Sequence, residues 1–161
     1  VDFKMLHASI ISDFDVDTRM IVFDEIVYHF IDQETILNHI QSLKHEVYDV
    51  SKLLIHLSRY SEVKYKIKRQ LVNLLGQDYI NTIAKIASSN MNLSIAAKRL
   101  FLHRNSLNYR IDKIFQKTSI DVKSFHGLRA LMSIIEWNCG LLCTLTIVIL
   151  YDIDYNKTKR N

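Results

Sequence analysis

The chain has 161 residues, 48% of them hydrophobic and 24% charged: enough apolar material for one ordinary domain, and a balance that excludes wholesale disorder. Three glycines and no proline exclude a turn-rich β-sandwich or barrel and point to an all-α helical bundle with short polar loops. The formal charge of +4 is unevenly placed, with 10 acidic and 5 basic side chains in residues 1–60 against 7 and 16 in residues 61–161. A basic half suits phosphate backbones or anionic membrane surfaces.

Residues 1–19 are acidic and weakly periodic, with Asp13, Asp15 and Asp17 alternating with Phe14 and Val16, and read as a loop or the ragged edge of a domain. They lack the central glycine and closing glutamate of a calcium loop. Residues 20–23 read as a short strand or the start of a helix, and Phe23, Ile26, Val27 and Phe30 have helical spacing. Asp32, Gln33 and Glu34 open an amphipathic helix that carries Ile36, Leu37, Ile40 and the run 43–47, its acidic first turn matching the helix dipole. A further segment holds Val50, Leu53, Leu54 and Leu57. Ser61 is the expected cap of a helix with Val63, Ile67, Leu71, Leu74 and Leu75 inside and Lys64, Lys66, Lys68 and Arg69 outside, stopped at Gly76. Asp78 is the expected cap of the next, through Ile80, Ile83, Ala84, Ile86 and Ala87.

No catalytic or metal constellation accompanies these elements. His7, His29, His39, His45 and His56 form no i, i+4 pair and no HExxH, and read as scattered surface or half-buried groups. Cys139 and Cys143 are too few for a disulfide scaffold or a zinc site and read as small hydrophobes. With no Ser-His-Asp arrangement, phosphate loop or carboxylate pair, the chain is read as a non-enzyme without cofactor or metal.

The informative stretch is residues 90–117. Asn92 or Ser94 caps a short helix through Leu100, with Ala96 and Ala97 in its middle. After Phe101 and Leu102, the residues His103, Arg104, Asn105 and Ser106 open a longer helix whose buried stripe is Leu107, Ile111 and Ile114. Ala97 supplies the small side chain two crossing helices need, and Leu100, Leu102 and Leu107 complete the motif core: helix-turn-helix grammar. In that arrangement the second helix enters the major groove, with His103, Arg104, Asn105, Ser106 and Tyr109 toward the bases. Arg104 suits guanine and Asn105 adenine. Lys98, Arg110 and Lys113 suit phosphates, and Asn108 lies on an outward face. Residues 85–117 hold seven Lys/Arg and one acid, Asp112, so the basic excess falls on the motif. Phe101 stands where a turn glycine is common.

The run formed by Ala96, Ala97, Leu100, His103, Arg104, Asn105, Ser106, Leu107, Tyr109, Arg110, Ile111 and Ile114 resembles the C-terminal helix-turn-helix of PucR/CdaR-type bacterial transcriptional regulators. Ser106 keeps the hydroxyl of the family's usual threonine. The similarity extends over about 71–132, with a helix upstream around residues 79–83 and one downstream over about 122–135; Phe101 and Ser119 stand in place of glycines. It implies a cytoplasmic, sequence-specific DNA-binding regulator whose partner is double-stranded DNA, with a 103–114 reading helix. A homodimer is expected, because one helix-turn-helix buries too little surface for high specificity. The resemblance names no effector. With only 70–90 residues ahead of it, the chain reads as the DNA-binding end of a longer regulator or as a shortened homologue. The alternative is a non-catalytic helical module whose basic face meets a protein or a membrane surface.

The expected organisation is an acidic helical segment over 1–60, a DNA-binding domain over 61–135, and an apolar segment with a basic tail over 136–161. The stretch 137–151 is uncharged and apolar on all sides. It reads as a buried element, a self-association element or a membrane segment; for the last its 15 residues fall short of the ~20 needed.

Overall fold

In the computed structural model, residues 2–15 and 18–136 are described; the apolar run 137–151, its two cysteines and the basic tail lie outside the described residues. Side-chain caps set most of the helix starts. Asp2 caps α1 (Phe3–Phe14), Asp32 caps α2 (Gln33–His39), Asp49 caps α3 (Val50–Leu57), Asn92 caps α6 (Leu93–Arg99) and Ser124 caps α8 (Phe125–Ile135), each accepting hydrogen bonds from otherwise unpaired backbone N–H groups. Gly76, at φ 87, ends α4 (Ser61–Leu75) and starts α5 (Gln77–Ser88). Helix α7 spans Arg104–Thr118.

The all-α expectation holds. The strand reading of residues 20–23 also survives, reduced to β1 (Met20–Ile21), which pairs in parallel with β2 (Val47–Tyr48).

Four local expectations change. The acidic N-terminus is a helix rather than a loop: Asp2 caps it, Asp15 closes it at φ 51, and only His7 is buried, so no apolar stripe announces it. The helix expected through 43–47 ends at His39, followed by a 3-10 turn (Ile40–Ser42), because Val47 and Tyr48 are drawn into the strand pair. Ser61 and Asp78 lie inside the first turns of α4 and α5 rather than capping them; the flanking positions are Tyr60 and Gly76, neither with a side-chain cap. The last helix begins at Phe125, since residues 120–124 fold as a loop that buries Ile120 and Val122.

A single buried core runs from Val27 to Ile135 and crosses position 60/61 without a break. Leu53, Leu54 and Leu57 of α3 are buried, as are Leu128, Leu131, Ile134 and Ile135 of α8, and these two helices form the most extensive helix pair of the fold. Helix α8 also packs on α4 and α5, so the acidic N-terminal half clamps the end of the basic half.

Gly127 makes the last packing step possible. It is buried, and an added Cβ would run into the Asp121 backbone carbonyl. The Ser124 hydroxyl donates to that same carbonyl at 2.8 Å and accepts from the Gly127 N–H at 3.0 Å, so loop and helix close as one unit. Gly127→Ala is therefore expected to lower unfolding free energy by about 1–3 kcal/mol in urea titrations, the cost of overpacking against backbone.

Asp32 ties α2 to α4. Its carboxylate accepts from the Thr35 N–H (2.9 Å) and hydroxyl (2.8 Å) and pairs with Lys66 at 2.9 Å. Partial burial raises its pKa, but Lys66 and the Thr35 hydrogen bonds outweigh this and hold it at about 2. A depressed carboxylate stabilises the fold above its unfolded value and loses that contribution as pH falls through the folded one. The stability advantage of the wild type over Asp32→Asn should thus be present above pH 3.8 and fade as pH drops to about 2, as read by denaturant midpoints across that window.

Candidate nucleic-acid interface

Helices α5, α6 and α7 pack on one another in all three pairings. Ala96 and Ala97 are buried in α6, and Leu107, Ile111, Ile114 and Thr118 are buried along α7, four and three residues apart. Leu100 and Leu102 are half-buried.

The turn between α6 and α7 is built by backbone. Phe101 N–H donates to the Lys98 carbonyl at 3.1 Å and Leu102 N–H to the Ala97 carbonyl at 2.9 Å, a Schellman closure that needs a left-handed residue between. Phe101 is that residue, at φ 55 and 97% exposed. Ser119, the second replacement of a glycine, is likewise left-handed, at φ 57, and ends α7. Both departures from glycine keep glycine's conformation, at a strain of about 1–2 kcal/mol each.

His103 caps α7 by accepting the Asn105 N–H at its ring Nδ1, 3.2 Å away. Accepting at Nδ1 puts the proton of the neutral ring on Nε2, which remains as a donor on this exposed residue. Arg104, Asn105 and Ser106 follow as consecutive exposed residues, and Tyr109 is 60% exposed. Among the described residues, the side chains of Arg104, Asn105 and Lys98 have no hydrogen-bond or ion-pair partner. Asn108 is half-buried rather than fully outward.

The cations divide into two sets. Lys85, Lys98 and Arg104 are exposed. The other four have neighbours on the fold, although Arg99 and Lys117 are exposed as well. The Arg99 guanidinium donates to the Ser88 carbonyl at 2.8 Å, and Lys117 to the Leu74 carbonyl at 2.7 Å. Lys113 donates to Gln116 at 3.0 Å and lies 5.6 Å from the Tyr109 ring centre. Arg110 is half-buried; it donates to the Thr82 hydroxyl at 3.1 Å and more weakly to the Asp78 carbonyl, and lies 5.9 Å from the Tyr79 ring. Buried Thr82 in turn donates to that Asp78 carbonyl at 2.8 Å. Arg110, expected at a phosphate, also ties α7 to α5 through these hydrogen bonds. Its partner Thr82 lies in the upstream run 79–83 that shares the family resemblance, but the spacing alone gives no pairing with Arg110. Arg110→Ala should lower unfolding free energy by about 1–2 kcal/mol, through lost charged hydrogen bonds, while Arg104→Ala stays within about 0.5 kcal/mol of wild type in the same urea titration.

Among the described residues, no helix is long and apolar enough to cross a membrane, and no three His, Cys, Asp or Glu side chains gather into a metal-binding group.

No solved structure matches the chain. A curated relative, the uncharacterized protein YxkF of Bacillus subtilis (strain 168), is 50% identical over 46 residues, which are 29% of this chain and 16% of that protein. Residues 79–135, from the first turns of α5 to the end of α8, match the family described as the PucR C-terminal helix-turn-helix domain. The three-helix packing, the Schellman turn and the capped α7 thus belong to a helix-turn-helix domain of the PucR C-terminal type, a family of DNA-binding regulators, carried by this chain over residues 79–135.

Proposed function

We propose that this domain reads duplex DNA as part of a bacterial transcriptional regulator working in the cytoplasm, with the N-terminal turn of α7 in the major groove. The observation that carries the reading is the run His103, Arg104, Asn105 and Ser106, exposed at the start of a helix whose opposite face is buried. In this reading Arg104 takes guanine through a bidentate pair and Asn105 takes adenine the same way. His103 donates from Nε2, while Ser106 and Tyr109 reach base edges or the nearest sugar-phosphate. The N-terminus of α7 favours a phosphate beside it, and Lys98, across the turn, supplies a fixed positive charge there. Lys113 and Arg110 follow the DNA backbone further along, Arg110 from the position on α7 where it also holds that helix to α5. The regulator binds as a homodimer on paired half-sites, because a single module buries too little surface for the discrimination regulation requires. The chemistry is recognition alone, with no covalent step.

Two substitutions separate the roles. Arg104→Ala should weaken a preferred duplex by about 1–3 kcal/mol while leaving random-sequence DNA nearly unchanged. Lys98→Ala should weaken all duplexes alike and reduce the slope of log affinity against log salt by about 1. Fluorescence anisotropy at two salt concentrations measures both, and an equal loss on both duplexes for Arg104→Ala would remove the base-reading role.

A further inference from the structure

Phe101 is the most exposed large apolar side chain of the described residues, and it sits on a left-handed backbone. Neither property helps the free protein. The ring buries nothing, and its backbone conformation is one that glycine adopts without strain. The Schellman hydrogen bonds hold the backbone there regardless, so the phenyl group is carried by an ordered turn. In the chain it falls between Lys98 and Arg104, two exposed cations, and two residues before His103, the cap of α7. It therefore extends the polar run 103–106 with an apolar group.

We propose that Phe101 is a specificity-determining contact: its ring packs on the C5-methyl group of a thymine at the edge of the site read by α7. The major groove offers few apolar features, and the thymine methyl is the one that distinguishes a base pair. The turn has already ordered the backbone, so only the side-chain torsions of the ring are left to settle on meeting it. This inference rests on the proposed reading of DNA by α7 and adds a base preference that the polar run does not carry.

The test uses the full chain and a duplex selected by it from a randomised pool. Copies of that duplex carry deoxyuridine at one thymine at a time, which removes only the methyl group. The wild type should lose roughly fourfold in affinity at one position, the worth of one buried methyl. Phe101→Ala should bind the selected duplex about tenfold more weakly and be indifferent to that methyl, with an unchanged salt slope and an unchanged unfolding midpoint. The folded state tolerates this variant because the ring has no packing to lose. The proposal is overturned if Phe101→Ala binds and discriminates as the wild type does. It is equally overturned by a loss that is the same on selected and random duplexes, which would place the ring on deoxyribose. Either result leaves the Arg104 test standing, whereas a wild type that selects no duplex at all removes both readings.

Discussion

The arrangement depends on one backbone closure, the hydrogen bond from Leu102 N–H to the Ala97 carbonyl at 2.9 Å across a left-handed Phe101. It turns the chain between α6 and α7 within four residues and presents α7 with its first turn outward and Leu107, Ile111 and Ile114 inward. Small Ala96 and Ala97 are both buried in α6, which packs on α5 and α7. The strain at Phe101 is tolerated because burial of α7 outweighs it: three aliphatic side chains, each worth about 1.5–3 kcal/mol when buried, exceed a penalty of about 1–2.

The remaining contacts hold that unit still. Arg110 and Thr82 fasten α7 to α5, Arg99 fastens α6 to the end of α5, and Lys117 fastens the end of α7 to α4. These are charged donors on neutral acceptors, which gain energy without leaving a buried charge unpaired. The N-terminal half contributes through α3, which packs on α8, and through Asp32, which anchors Lys66 of α4. Rigidity of the scaffold and exposure of the first turn of α7 thus go together: Arg99, Arg110 and Lys117 tie neighbouring helices to one another, while Arg104 stays exposed beside the cap of α7.

Much of this was legible in the residues. Few glycines and no proline announced helices, and the stripe 107, 111, 114 with Ala97 and the run 103–106 announced the motif, because both rest on local periodicity. Phe101 at the turn was legible as an oddity, and its left-handed geometry follows from the helix closure around it. What was hidden depends on distant partners. Arg110 reads as a surface cation until Thr82, 28 residues away, is beside it. The helix α1 has almost no buried face and so leaves no stripe, and the two-residue strands owe their existence to each other. Gly127 looks like a flaw in an apolar helix until the Asp121 carbonyl is placed against it.

The central claim, that the first turn of α7 is the surface that meets DNA, is tested most directly by backbone amide chemical shifts recorded while duplex DNA is added at low salt. The account predicts that the largest changes fall on residues 98 and 101–109, with smaller ones along the rest of α7 and none on α1 to α3. Changes confined to α1–α4, with residues 103–106 unmoved, would contradict it.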